Sequence, residues 1–456
     1  MYNFTVQLNK KSKKPLYEQL YDHISSEIRS GNLKENERMP SKKALSSHLG
    51  ISVNTIETAY SMLVQEGYLT PLPRSGYYVC RIAQPIGENI FYTKKQTIKQ
   101  THRIDFKTNA VDSDAFPFST WIKLSKETMY SSPELLNSGE SQGDYELRES
   151  IAKYLHEFRG VKCDPEQIIV GAGIEYLLLL LTKILGDNNI YAVENPGYRK
   201  TCEILKSSGA GINYIPLDRD GMIIDSLINT KANVVYITPS HQFPTGVTMP
   251  IGRRFELLSW AAEKENRYII EDDYNSEFNF SSKPIPAVQG LSPNSRVVYM
   301  STFSRTLAPS IRIAYMVLPP ALLEIYHKRF SMYSSTVSRF EQHTLNKFIS
   351  GGYLQRHLNR VKNIYRKRRD LLISELKALP YQTEIYGEKS GLHLLVKTPF
   401  ADKILKTAEK NGIKLYSLDD YFFTETKSPS NIIIIGYASC TEDNITELIH
   451  TISGIL

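Results

Sequence analysis

At 456 residues the chain exceeds what one ordinary core holds, and length alone points to about two to four domains. An apolar fraction of 41% with 23% charged residues fits a soluble globular protein, and four scattered cysteines (Cys80, Cys163, Cys202, Cys440) without a C-x-x-C pair argue against a disulfide framework or a zinc site and suit a reducing cytoplasm. The net charge of +7 is unevenly spread: residues 1–80 hold 10 Lys/Arg against 7 Asp/Glu, residues 81–104 hold 5 against 1, and residues 105–456 balance at 40 against 40. That asymmetry points to a polyanion partner for the N-terminal quarter and a neutral body behind it, or else to a solvated basic surface. The opening M-Y-N-F-T-V-Q-L-N-K-K lacks the apolar core of a signal peptide. The most apolar run, Ile174 to Leu185, is about half a membrane span, so a buried helix and no membrane are expected.

In chain order, Leu16, Leu20, Ile24 and Ile28 recur every four residues and predict an amphipathic helix that Gly31-Asn32 ends. Pro40-Ser41 opens a second helix with Ser41 placed to cap it, and Ala44, Leu45 and Leu49 are expected to face inward. After Gly50, Ser52 can cap a third helix carrying Val53, Ile56, Tyr60 and Leu63. Two short helices joined by a glycine turn make a helix-turn-helix. The stretch Y-L-T-P-L-P-R-S-G-Y-Y-V reads as two short strands turning at Pro73–Gly76, a wing. The strings P-L-Y-E-Q-L, R-M-P-S-K-K-A-L, L-G-I-S-V-N-T-I and E-G-Y-L, in this order, resemble the GntR family of winged-helix DNA-binding domains over about residues 12–80. The resemblance implies that the third helix enters a major groove with Ser52, Asn54 and Thr55 as hydrogen-bonding groups. Ser41, Lys42 and Lys43 would hold phosphates, and Arg74 and Gly76 would bring the wing tip near a minor groove. That family usually has Arg where this chain has Val53, which either meets a thymine methyl or packs. A winged helix used only for protein contacts is the competing reading.

Residues 81–104 are polar, basic and without a sustained period, and read as an interdomain linker whose Lys94, Lys95 and Lys99 either touch DNA backbone or are merely solvated. From residue 105 helices alternate with seven apolar runs: Q-I-I-V-G, N-I-Y-A-V, G-I-N-Y-I-P-L, N-V-V-Y-I-T, Y-I-I-E-D, R-V-V-Y-M and I-A-Y-M-V-L. This predicts an α/β domain with a mostly parallel buried sheet, whose ligand sits at the carboxyl ends of the strands. There the chain places G-A-G-I-E-Y, where Gly171 and Gly173 let amides converge at a helix start; E-N-P-G-Y with Tyr198; P-S-H-Q-F-P-T-G; E-D-D-Y-N-S-E-F; and S-T-F-S-R-T-L-A-P-S-I-R.

These loops resemble those of aminotransferases of the pyridoxal-phosphate (PLP) fold type I, with a small α+β subdomain carrying S-G-L-H-L-L-V and N-I-I-I-I-G-Y-A-S. By the resemblance, Tyr198 stacks on the cofactor ring, Asp272 pairs with the ring nitrogen and Tyr274 reaches the phenolic oxygen. Gly173, Ile174, Thr302, Ser304 and Arg312 surround the phosphate, and Arg305 stands where the family has the lysine that condenses with PLP. A guanidinium stays protonated and is a poor nucleophile. Two further anchors are absent: Phe243 stands where an Asn usually precedes P-T-G, leaving Gln242 or His241 as substitutes, and the last strand (Ile432 to Ile435) has no carboxylate-clamping Arg.

A GntR-type head followed by an aminotransferase-like body is the architecture of MocR/GabR-type bacterial transcription regulators, which nearly the whole chain resembles. The resemblance implies a homodimer, operator DNA as partner, a small-molecule effector and altered spacing of the DNA heads on effector binding. Three functions follow. One is a regulator that senses a small molecule without covalent catalysis, PLP being non-covalent or lost. The second is a working aminotransferase that binds DNA, with Lys200 or Lys283 as the nearest lysines. The third is a PLP-dependent regulator with a sporadic or engineered Lys-to-Arg change.

Overall fold

A computed structural model describes residues 6, 8–82, 102–280, 285–292, 296–424 and 430–455. It divides into two compact units, residues 1–99 and 100–456. Most of the linker expected at 81–104, with Lys94, Lys95 and Lys99, lies outside the described residues, as does Lys283. Arg103 already belongs to the large unit, its amide donating to the Gly412 carbonyl at 2.9 Å.

In the small unit, helices α1 (Leu16–Arg29), α2 (Lys42–Leu49) and α3 (Val53–Gln65) precede the antiparallel strands β1 (Leu69–Leu72) and β2 (Gly76–Val79). Leu20, Ile24, Leu45, Ile56, Tyr60, Leu63, Leu69 and Val79 form its core. Both expected caps form: Ser41 Oγ accepts from the Ala44 amide at 3.2 Å and Ser52 Oγ from the Thr55 amide at 3.1 Å. Gly50, at φ 63°, ends α2 in the left-handed region that a β-carbon disfavours. One inward expectation fails: helix α2 has only two turns and buries Leu45 alone, so Ala44 faces solvent. Val53 in the first turn of α3, left open between packing and a base contact, is 39% exposed. Between the wing strands the Ser75 amide donates to the Leu72 carbonyl at 3.0 Å; Pro73 and Arg74 are central, and Arg74 sits at φ 60°.

The large unit opens with β3 (Ile104–Asp105), α4 (Phe118–Ser131) and α5 (Tyr145–Arg159), then β4 (Ile168–Gly171), α6 (Ile174–Leu185), β5 (Ile190–Asn195), α7 (Arg199–Ser207), β6 (Gly211–Asp218), β7 (Gly221–Met222), β8 (Val234–Ile237), β9 (Tyr268–Asp272), β10 (Val297–Thr302) and β11 (Ala314–Val317). The sheet order is β4-β11-β10-β9-β8-β5-β6-β7. All seven predicted runs are strands, and the chain from β10 through β9, β8 and β5 to β6 is parallel, with β11 antiparallel to its neighbours. Alternate residues of β8 enter different cores: Val234 and Tyr236 pack with the leucines of α6, Val235 and Ile237 with Trp260. A sheet buried on both faces must be apolar at every position, which is why its strands read as unbroken runs rather than alternations. The short β7, absent from the sequence reading, has two residues and no periodicity to show.

A second, four-stranded sheet has β12 (Glu384–Tyr386), β13 (His393–Lys397), β15 (Tyr416–Ser417) and β16 (Ile432–Gly436), in the order β12-β13-β16-β15, while β14 (Ile413–Lys414) pairs with β3. The two strings assigned to the small subdomain are β13 and β16. Among the described residues no helix is long and apolar enough to cross a membrane, and the leucine run of α6 is a core helix.

Candidate functional site

On the small unit, Asn54 and Lys43 are exposed at the starts of α3 and α2, and Val53 presents its methyls beside Asn54 instead of packing. The Ser52 hydroxyl lies 2.8 Å from that of Thr55 and caps α3, so these two groups set the helix entry as well as offering lone pairs. Lys42 is less free than expected: its ammonium donates to Glu57 at 2.5 Å and lies 5.7 Å over the Tyr77 ring. Arg74 is exposed at the wing turn. Arg38, which sequence reasoning passed over, is exposed beside the wing; a β-carbon at Gly76 would lie 3.6 Å from its Nε, and its backbone bridges to Tyr78. The signal was a lone cation immediately before the second helix.

In the large unit a cleft opens at the carboxyl ends of β4, β5, β8, β9 and β10, where a parallel sheet presents its loops. Ile174, Tyr198, Asp272, Tyr274, Thr302, Ser304, Arg305 and Arg312 all line it, drawn from segments up to 138 residues apart. Gly173 stands at its edge with φ 97°, and a β-carbon there would collide with the Arg312 guanidinium. Ile174 carries no hydroxyl, so toward an anion it has only its backbone amide to offer.

At one end, Thr302 Oγ1 lies 2.9 Å from Ser304 Oγ and accepts the Ser304 amide at 3.1 Å. Arg312 Nη2 donates to the Ala172 carbonyl at 3.1 Å and to Glu175 Oε2 at 2.7 Å. Glu175, overlooked in the sequence although it stands in G-A-G-I-E-Y, therefore holds the cation expected to grip a phosphate, and Lys200 at the cleft lies 3.5 Å from its other oxygen. The Arg312 guanidinium lowers the Glu175 pKa against the raising effect of burial, which is the larger single influence on it.

Asp272, also lining the cleft, is 6% exposed. Its Oδ2 accepts the Tyr236 hydroxyl, and its Oδ1 has no hydrogen-bond partner. Burial pushes its pKa up to about 7, against the Tyr236 hydrogen bond. Arg305 is half-buried, donates from Nη1 to the Thr108 carbonyl at 2.9 Å and lies 5.7 Å from the Tyr274 ring centroid. Burial pulls its pKa down, opposed by the neighbouring Tyr274, Tyr198 and Asp272. Thr108 and the cleft-lining Asn109 come from an irregular segment without a motif, so no sequence signal marked them. Tyr274 donates its hydroxyl to the His241 carbonyl at 3.1 Å, and the Tyr198 ring stands edge-on to Phe243 with centroids 5.5 Å apart.

Neither proposed substitute for the missing Asn reaches the cleft. The buried Gln242 spends its amide on Glu194, the Pro196 carbonyl and the Phe243 carbonyl, and its oxygen accepts from Thr245. His241 turns toward Ser390 at 3.1 Å.

Residues 16–79 match the family of bacterial regulatory proteins of the gntR type, and residues 101–452 match aminotransferase class I and II. The uncharacterized HTH-type transcriptional regulator YdeL of Bacillus subtilis is 38% identical, with 96% of each chain covered. The probable rhizopine catabolism regulatory protein MocR of Rhizobium meliloti is 32% identical, with 98% of this chain and 94% of that one covered. The chain belongs to the MocR-type transcription regulators. Its large unit is also similar to Pyrococcus horikoshii kynurenine aminotransferase, at 26% identity and a TM-score of 0.68, covering 78% of this chain and 91% of that one.

A MocR-type body implies PLP, and the residues present fit two of its ends. The unpartnered Oδ1 of Asp272 is an acceptor suited to a protonated ring nitrogen. The Arg312 guanidinium, which packs on Gly173 where a β-carbon would collide with it, lines the cleft with Thr302 and Ser304 as donors suited to a phosphate. At Arg305 the fit is to an acceptor and not to an aldehyde carbon.

The regulator's Asp272 costs stability when no cation pairs with it and its Oδ1 has no partner. Its folded pKa of about 7 lies above that of an unfolded aspartate, so the folded state holds the extra proton and stability falls as pH rises from about 4 to 7. Asp272→Asn should therefore stabilise the ligand-free large unit by about 2 kcal/mol at pH 8 and by much less at pH 5. Thermal unfolding at the two pH values checks this; an equal effect at both would locate the cost elsewhere.

Proposed function

We propose that this MocR-type regulator binds operator DNA as a homodimer and senses a small molecule in the large-unit cleft without covalent attachment. The observation that carries the reading is Arg305, a half-buried guanidinium anchored to the Thr108 carbonyl at the point where the family resemblance expects an amine. A guanidinium holds its proton and does not act as a nucleophile, so the cleft can bind and orient a ligand but has no group at that position to condense with a carbonyl. Asp272 would hold a ring N–H, Thr302, Ser304 and Arg312 a phosphate, and Tyr198 and Tyr274 the faces and edge of a ring. PLP bound there would supply an electron sink through its protonated ring.

Treating the PLP-loaded chain with borohydride tests the non-covalent reading. No mass increase on the protein, together with PLP binding by calorimetry, is expected; an adduct on any lysine, Lys200 included, overturns it.

On the DNA side, Lys43 and Arg74 are the exposed cations at the helix start and wing. Replacing both with alanine removes four cations from the dimer, and should lower operator affinity at least about 10- to 100-fold near 0.1 M salt and reduce the slope of log affinity against log salt by about 4. Lys42→Ala alone should do less, because Glu57 already holds that ammonium. Gel-shift titrations across a salt series measure both quantities, and an unchanged slope would remove the two residues from the interface.

A further inference from the structure

Three poles of charge in the cleft define a ligand more narrowly than the fold does. The first is the Arg312 guanidinium beside Gly173, partly neutralised by Glu175. The second is Asp272, almost wholly buried, with Oδ1 unpartnered at the cleft wall. The third is Arg305, which gives one hydrogen bond to the Thr108 carbonyl and faces Tyr274. No carboxylate among the described residues pairs with Arg305 within 4.0 Å, whereas Arg312, Arg159, Arg339 and Arg368 each have one. A guanidinium drawn partly out of water with no carboxylate in contact is costly, and a planar fork of N–H donors is shaped for a carboxylate.

We infer that the cleft selects a phosphorylated nitrogen heterocycle bearing a ring carboxylate: the phosphate at Arg312, the protonated ring nitrogen at Asp272 Oδ1 and the carboxylate at Arg305. This rests on the non-covalent reading above and goes beyond it by naming the group that Arg305 receives. The charges set an order. Among PLP-like molecules, a carboxylate in place of the aldehyde meets Arg305 with opposite charge. The aldehyde meets it as a neutral acceptor, and an aminomethyl group meets it as a second cation and is repelled. Glu175 and the Ala172 carbonyl both take Nη2 of Arg312, which leaves Nε and Nη1 for the phosphate, so binding adds a charge-assisted phosphate pair at Arg312 and a carboxylate–guanidinium pair at Arg305.

Calorimetry on the full-length chain with three probes tests this: the 4-carboxylate analogue of PLP, PLP itself and pyridoxamine phosphate. The expected result is at least tenfold tighter binding of the carboxylate than of PLP, with the aminomethyl compound weakest. Arg305→Gln should bring carboxylate and aldehyde within about twofold of each other. Thermal unfolding of that variant, with retained affinity for PLP, shows that the cleft has survived the substitution. PLP binding as tightly as the carboxylate, or a carboxylate preference that persists in Arg305→Gln, would overturn the assignment. Tight binding of PLP only when a separate monocarboxylate is added would overturn the single-ligand form, because the anion at Arg305 would then be a second molecule. All three outcomes are distinct from borohydride-stable attachment, which would instead remove the non-covalent reading.

Discussion

Arg159→Ala should destabilise the large unit by about 3–5 kcal/mol, the largest loss expected from a single truncation outside the cleft lining. Arg159 ends α5 and is buried against the loop after β9. Its Nε donates to Asp273 Oδ2 at 2.7 Å, Nη2 to Ser240 Oγ at 2.8 Å and Nη1 to the Ile285 carbonyl at 2.6 Å. Asp273 also accepts the Tyr299 hydroxyl at 2.6 Å and the Ser276 hydroxyl at 2.9 Å, while its backbone carbonyl accepts Ser301 Oγ at 2.7 Å. Removing the arginine leaves a carboxylate in the interior with hydroxyl donors but no cation, and a buried charge that loses its partner costs far more than the pair was worth. Asp273→Ala should cost a similar amount by stranding the guanidinium. The double variant should cost clearly less than the two losses added, because the second truncation removes the stranded charge. Both tryptophans, Trp121 and Trp260, lie in the large unit, so their fluorescence in a urea titration reports that unit and not the DNA head. A loss below about 1 kcal/mol for Arg159→Ala would mean that water reaches Asp273. The pair also bears on function, since Asp273 follows Asp272 directly and its carbonyl ties β9 to β10, the strands that end at Asp272 and Thr302.

That network shows where sequence reading stops. The strands were legible because burial on both faces forces continuous apolar runs, and the caps because Ser41 and Ser52 stand immediately before helical periods. The cleft residues were legible because each follows a strand and belongs to a string with a known counterpart. What stayed hidden depends on pairings across long separations. Arg159 and Asp273 are 114 positions apart, and nothing in either neighbourhood names the other. Thr108 and Arg305 are 197 apart, and the partner atom is a backbone carbonyl that every residue type carries. Lys42 read as a free cation because its tie to Glu57 crosses from one helix to the next. Ala44 read as inward because helical spacing says which residues share a face, but not how short a helix can be before its second apolar position leaves the core. Gln242 read as a candidate for the cleft because residue type suggests an amide donor, while its neighbours Glu194, Pro196 and Phe243 had already taken that amide.

Arg305→Lys should convert the cleft from a binding site into one that attaches PLP covalently. The replacement keeps a cation near Asp272 and Tyr274 but exchanges a group that never deprotonates for an amine that can. Desolvation already pulls the guanidinium pKa down at this position, and Arg312 and Lys200 stand nearby as cations in the same cleft, so both influences lower the pKa of a lysine there and raise its neutral, nucleophilic fraction near pH 8. The expected result is a visible absorption band on adding PLP, a borohydride-stable mass increase at position 305, and PLP affinity at least about tenfold above that of the native chain. The preference for the carboxylate analogue should weaken in the same variant, because a lysine ammonium has no planar fork to match a carboxylate bidentately. The two changes have a common cause and should appear together. A variant that still binds PLP without attachment would place the fault in the rest of the cleft, with Phe243 in the Asn position and Glu175 on Arg312 as the groups to replace next. Operator affinity without ligand should be unchanged, since the substitution lies in the large unit and leaves the DNA-binding unit's own core and caps as they are.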